Sequence, residues 1–374
     1  MFNTATIRNL GAAALLAAAL AFPGAAAAFE LNGFGDVVYS STEEGGTSNN
    51  GFALGQLDLY VAEEIDDRID VLTEFVIESP GEGFVVDLER LQIGYAVGDN
   101  HHLRAGRFHN LIGYWNLAYH HGAQLHTPVG RPFFLEFEDE NGVVPVHAVG
   151  LWWDSRFDTG AGRIDLGVMF GNGASLAADL SGGQTGELNP DSAGDADNDK
   201  AVSWQLRYHP AALSGLAVGF SGQVGTIHIM DTNPTPTMND HIDQTLLAGD
   251  LTFRGDRLEV LAEYYAWSNE SMMTGLTYDG STGYYVQAGY RFGDGFTPYA
   301  RYTMLDAEAD PLFNAVGMTW DGTTTAANRQ KSVAVAGFRY DLNYRSALKL
   351  EYRAVDDDVD GSYNEGAVQW SFAF

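Results

Sequence analysis

The chain contains no cysteine, and its 20 lysines and arginines are outnumbered by 50 acidic residues. Without thiols it can build neither a disulfide framework nor a cysteine-based metal or redox site, and a chain crossing an oxidising compartment has nothing to mispair. A formal net charge of −30 disfavours binding to nucleic acid, whose phosphates require a basic surface. Catalytic signatures are missing as well: there is no GxSxG elbow, HExxH pair, phosphate-cradling loop or CxxC, so no enzyme class is indicated. Beyond residue 28 no apolar run is long enough to cross a bilayer as a helix, so membrane residence there would have to use strands.

Residues 1–28 have the form of a secretory signal. Arg8 lies near the start, an apolar run extends from Leu10 to Phe22, and Pro23 is followed by small residues ending at Ala28, after which cleavage is expected. A membrane-spanning helix is the weaker reading, because the apolar run is only about a dozen residues long and Pro23 breaks it. Residues 29–374 then form one domain. With 44 glycines and 12% aromatics, this part suits many short strands joined by frequent turns.

From Phe29 onward apolar side chains recur at every second position. Val368, Trp370, Phe372 and Phe374 share one face, with Gln369, Ser371 and Ala373 on the other. Leu348, Leu350 and Tyr352 likewise oppose Lys349, Glu351 and Arg353, and Trp204, Leu206 and Tyr208 oppose Gln205 and Arg207. Alternation alone fits a soluble sandwich or a membrane barrel. Connection lengths separate the two. Strands are predicted near 29–40, 51–63, 68–79, 84–96, 101–109, 144–154, 162–171, 201–209, 215–228, 242–253, 257–267, 282–292, 296–306, 331–341, 347–356 and 364–374. Tight turns such as Asp66-Asp67, Gly98-Asp99-Asn100 and Gly293-Asp294-Gly295 alternate with connections that are mostly long. An even strand count with this rhythm is what an all-β transmembrane antiparallel barrel of about sixteen strands requires. Tyr39, Tyr95, Trp152, Trp153, Tyr208, Tyr264, Tyr290 and Tyr340 near strand ends suit lipid headgroup level, although strand propensity alone also favours aromatics.

The last alternating segment, ending on the aromatic Phe374, resembles the terminal assembly signal of Gram-negative outer-membrane proteins. Sixteen strands with a long third external loop resemble the trimeric porins. The resemblance spans the whole mature chain and is architectural, since no diagnostic porin loop motif is matched. It implies passage through the periplasm into the outer membrane, contact with lipid and lipopolysaccharide, a homotrimer, and diffusion of small hydrophilic solutes.

The connection 110–143 is the longest and the third external one. It carries Leu111-Ile112-Gly113-Tyr114-Trp115 and Arg131-Pro132-Phe133-Phe134, too apolar for a floppy tail, followed by Glu136, Glu138, Asp139 and Glu140. We expect it to fold into the barrel and narrow the pore. By strand parity Arg90, Arg104, Arg301, Arg339 and Arg353 point inward, with Arg90, Arg301 and Arg353 nearest mid-height. Acid facing base across a gap creates a transverse field that orders polar solutes. The alternative is that these arginines pair with Glu259, Glu263 and Glu351 and only stiffen the wall. Acid-rich loops favour cations at the mouth, though excess acid also serves solubility. Two other functions fit the same pattern: a channel selective for an anion or organic acid held by the inward arginines, or a non-conducting structural or metal-binding surface barrel.

No cofactor is indicated. Asp195, Asp197 and Asp199 imitate the opening of a calcium loop, but Lys200 stands in place of the turn glycine and Leu206 in place of the bidentate acid, so only loose divalent binding is expected. Seven of the ten histidines lie between His101 and His147. His120, His121 and His126, inside the long connection, are candidate metal ligands or pH-responsive groups, while polar loop histidines are the plainer reading.

Overall fold

A strand with unlike faces is stable in a membrane only when both of its edges are paired, which a closed ring achieves. The computed structural model describes residues 31–44, 47–79, 83–119, 121–137, 142–179, 184–189, 194, 199–231, 241–271, 276–308, 329–358 and 361–374, and in it sixteen antiparallel strands close such a ring. The first seven are β1 (Leu31–Glu44), β2 (Thr47–Glu64), β3 (Ile69–Glu78), β4 (Val85–Val97), β5 (His101–His109), β6 (His147–Thr159) and β7 (Gly162–Asn172). Then come β10 (Lys200–Pro210), β11 (Leu216–Asp231), β12 (His241–Arg254), β13 (Leu258–Ser271) and β15 (Thr282–Tyr290). The last four are β16 (Phe296–Ala307), β17 (Arg329–Asn343), β18 (Ser346–Asp357) and β19 (Tyr363–Ala373). Neighbours in this order pair antiparallel, and β19 returns to β1 in register from Phe34↔Ala373 to Glu43↔Asn364.

Charge and exposure along β18 decide between sandwich and membrane barrel. Leu348, Leu350 and Tyr352 are 37%, 43% and 54% exposed, whereas Lys349 and Glu351 between them are 1% and 2% exposed. Apolar side chains outside and charges inside invert the order of a soluble protein, and only a lipid-facing exterior makes that arrangement favourable. The same inversion holds on β19, where Trp370 and Phe372 face out and Gln369 and Ser371 are buried.

Three features depart from the sequence reading. The first external connection is tight, since Glu44 pairs with Thr47, so the short-long rhythm starts only after it. Two of the long connections carry strands outside the ring: the hairpin β8 (Ser175–Asp179) and β9 (Gln184–Asn189), with β8 parallel to the end of β11, and the short β14 (Leu276–Tyr278) on β13. Trp152, expected in the aromatic belt, points inward instead and packs on Phe108 under the Arg104 guanidinium; Trp153 beside it is the residue that faces out. Residues 1–30, and with them the expected signal, lie outside the described residues.

Candidate functional site

The connection between β5 and β6 runs from 110 to 146, three residues longer than expected because β6 begins at His147. It does enter the barrel. A single turn of helix α1 (Trp115–Tyr119) and a 3-10 turn (Phe133–Leu135) place Ile112, Trp115, Tyr119, Phe134 and Leu135 against Leu246, Leu261, Tyr265, Trp267 and Tyr285 of the inner wall. Phe134 meets Tyr265 edge to face at 5.4 Å. A barrel interior is normally wet and polar, so this apolar patch on β12, β13 and β15 exists to seat the segment.

Polar anchors complete the seating. Glu263 of β13 accepts four hydrogen bonds: the Tyr114 and Trp115 amides donate at 2.7 and 2.8 Å, and the Tyr265 and Tyr285 hydroxyls at 2.7 and 2.6 Å. Gly113 makes the approach possible. Its φ is +74°, and a Cβ there would run into the Tyr265 hydroxyl and the Glu263 carboxylate. Beside it the Gln205 amide donates to the carbonyls of Leu111 and Gly113, and the Gly113 amide donates to Ser221 Oγ at 2.9 Å.

On the neighbouring arc, β16 to β18, the wall is basic. Arg301 donates to the carbonyls of Gly130 and Arg131 at 2.7 and 2.8 Å, and Arg339 to those of Gln124 and His126 at 2.7 and 2.9 Å. Lys349 Nζ donates to the carbonyls of Ala123 and Pro128 at 2.5 and 2.7 Å. Glu351 accepts from the Val129 amide at 2.9 Å and from the Tyr299 hydroxyl at 2.8 Å, and it pairs with Arg353, which also reaches Glu365 at 3.4 Å. Bases on carbonyls and an acid on an amide match the backbone's own polarity, so this arc grips the main chain whatever side chains it carries.

All five expected arginines face inward; Arg353 pairs with Glu351, as the wall-stiffening alternative has it, while the other four take partners the sequence did not name. Arg90 pairs with Glu74 and Arg104 with Asp154, while Arg301 and Arg339 hold the inner segment. Glu136 lies within electrostatic reach of Arg301 and Arg353. Glu138, Asp139, Glu140 and His120 lie outside the described residues, as do Asp195 and Asp197; Phe374, the expected assembly signal, stacks on Phe372 and exchanges backbone bonds with Gly33.

The remaining two candidate histidines are separated from one another. His126 Nδ1 donates to the Pro128 carbonyl at 2.8 Å, and its ring packs against those of Trp115 and Tyr119. Burial, and then the positive charges of Lys349, Arg301 and Arg339, hold its pKa well below the usual histidine value against the opposing Pro128 contact. His121 instead joins Glu89 and His147. Glu89 Oε2 is 3.0 Å from His121 Nε2 and 2.7 Å from His147 Nε2. Strict alternation would turn Glu89 to lipid, next to inward Arg90. The β3–β4 ladder, however, steps from Glu74↔Arg90 to Phe75↔Leu88, making Glu89 the extra residue of a bulge, and both neighbours turn inward. No sequence signal marks that bulge. Glu263, Lys349 and Glu351 are by contrast inward by parity, and of their partners only Arg353, on Glu351, was expected.

No family model and no curated protein matches the sequence. Solved structures do match in fold. The chain superposes on the anion-selective porin from Comamonas acidovorans with a TM-score of 0.60 at 12% identity, over 93% of this chain and 99% of that one. OmpT, an outer membrane protein of Vibrio cholerae, in its trimer form gives 0.59 at 10% identity, over 92% and 98%. The outer membrane channel DcaP of Acinetobacter baumannii gives 0.58 at 13%, over 92% and 96%.

Proposed function

We propose that this chain, which has the sixteen-stranded barrel fold of the outer-membrane porins, is a passive outer-membrane channel for small hydrophilic solutes and ions, with a preference for cations and no enzymatic activity. The observation that carries the reading is the 110–146 segment, seated inside the ring on an apolar patch and gripped by wall side chains on two arcs. A segment held in this way narrows a lumen to a fixed aperture, which a merely structural barrel does not need. An apolar exterior supports residence among lipid and lipopolysaccharide, and the trimer form of the Vibrio cholerae protein supports a homotrimer here. Support for cation preference comes from the net charge of −30 and from the acids at 136, 138, 139 and 140.

A channel in which free arginines hold an anionic substrate is the weaker reading, because Arg301 and Arg339 already spend guanidinium donors on loop carbonyls. The test is single-channel conductance in a planar bilayer under a salt gradient. The native chain should conduct without saturation and with a reversal potential on the cation side. A variant carrying E136Q, E138Q, D139N and E140Q should lose much of that potential. Silence from the folded native chain would end the channel reading, and current blocked by an organic acid would favour the selective alternative.

A further inference from the structure

The histidine-rich corner of the lumen lies away from the anchors of the inner segment. Three elements meet there: the bulge of β4 brings Glu89, the inner segment brings His121, and the first residue of β6 brings His147. All three side chains are buried, and one ligand atom from each lies within 4.8 Å of the other two.

Two imidazoles and a carboxylate converging by single atoms are the donor set of a three-ligand zinc site. With metal–ligand bonds of about 2.0–2.2 Å, tetrahedral geometry separates ligand atoms by roughly 3.3 Å. The oxygen–nitrogen gaps of 2.7 and 3.0 Å therefore need to widen by only a few tenths of an ångström. His121 is also held as a ligand would be. Its Nδ1 lies 2.6 Å from Gln56 Oε1, which accepts the Nδ1 proton and leaves the Nε2 lone pair aimed at the corner. Phe137 stacks on its ring at 4.5 Å and 11°, under the Arg131 guanidinium at 4.1 Å. Competition comes from one side. Arg107 places NH2 3.2 Å from His147 Nδ1, and a metal on Nε2 requires that nitrogen to carry a proton, so the guanidinium must turn away. Its Nε bond to the Glu89 carbonyl at 3.1 Å can stay.

We propose that Glu89, His121 and His147 form a binding site for a divalent transition-metal ion with the coordination preferences of zinc, whose fourth position is open to water. Imidazole with carboxylate selects this class over calcium or magnesium, which take oxygen donors. A bound ion would fasten the inner segment to β4 and β6, the arc that the basic anchors do not reach. Binding does not depend on conduction, so failure of either reading leaves the other standing.

The experiment is calorimetric titration of Zn²⁺ into the full-length chain, folded in detergent and stripped with chelator, with Co²⁺ absorption as a second measurement. One saturable Zn²⁺ per chain is expected, weakened more than tenfold in H121Q and H147Q. Q56A, which touches only the second shell, should lose roughly tenfold to hundredfold. H102Q, at the rim beside Asp70, should bind as the native chain does. Should the ligand variants fail to fold, the native chain still answers through Co²⁺: intense visible bands of a low-coordinate site support the proposal. A folded native chain that shows no saturable Zn²⁺ uptake and only octahedral Co²⁺ overturns it, as does native affinity in folded H121Q and H147Q.

Discussion

Replacing Glu263 by alanine should unseat the inner segment while leaving the barrel closed. The carboxylate is 2% exposed and satisfies two loop amides and two tyrosine hydroxyls. Leaving a buried donor without an acceptor costs about 1–3 kcal/mol, so four of them set a ceiling of roughly 4–12 kcal/mol for Glu263→Ala. Water entering the vacated space will serve some donors, so the lower end, about 4 kcal/mol, is the expectation. Glu263→Gln keeps one acceptor oxygen and should cost about half as much; Tyr285→Phe, which deletes a single donor, should cost about 1–3 kcal/mol. The ladders on both sides of β13 do not involve this side chain, so the ring persists and the loss falls on the segment. Open-channel current noise and polymer-exclusion size measure its position, and thermal melting in detergent measures the loss. If Glu263→Ala melts like the native chain and its open current is as quiet, the four bonds do not hold the segment and the argument fails.

Gly113→Ala puts a methyl group into Tyr265 and Glu263 at a backbone angle that only glycine adopts comfortably, so it should reproduce the noise of Glu263→Ala; a quiet channel would show that the approach is looser than described. Lys349→Met keeps length and apolar stem but removes two charge-assisted bonds to loop carbonyls, and a melting loss of about 2–4 kcal/mol is expected, with no change in the barrel's strand signal by circular dichroism. Acid should destabilise the fold through His126. His126 is held neutral in the fold by burial and by Lys349, Arg301 and Arg339, while in the unfolded chain it titrates near 6.5. The unfolded state thus binds the extra proton, and stability falls as pH drops below about 6.5. His126→Asn should flatten the decline in melting temperature between pH 7 and pH 5; identical slopes would remove His126 from the account.

How far the sequence could be read depended on whether a feature is periodic. Strand His101–His109 was bounded to the residue, and the inward placing of Arg301 and Lys349 followed from counting by twos, because alternation in a barrel is dictated by lipid outside and water inside. What alternation cannot see is its own interruption. The bulge at Glu89 turns a residue that strict alternation would place against lipid into the centre of the histidine corner. Nor could parity say what an inward charge meets. Arg301 was expected to face a carboxylate across water, and its guanidinium instead takes up main-chain carbonyls, which are the same in every sequence and leave no trace in one. The inner segment was recognisable from its aromatic content, yet its seat on Tyr265, Trp267 and Tyr285 was hidden, because those residues also read as ordinary strand formers.

The grip on the main chain also fixes an order of events. Arg339, Lys349 and Gln369 lie 215, 226 and 240 residues beyond their carbonyl partners at Gln124, Ala123 and Val129. Contacts this remote contribute nothing until the chain between them has been ordered, and the last of them stand on the strands that seal the ring against β1. The stretch around Ala123 to Pro128 therefore gains these anchors only when the last strands are in place. Until β17 and β18 are in place the carbonyls of Ala123, Gln124, His126 and Pro128 lack their donors, although the aromatic seat on β12, β13 and β15 is already built; that half-anchored interval is when the segment is most open to misassembly.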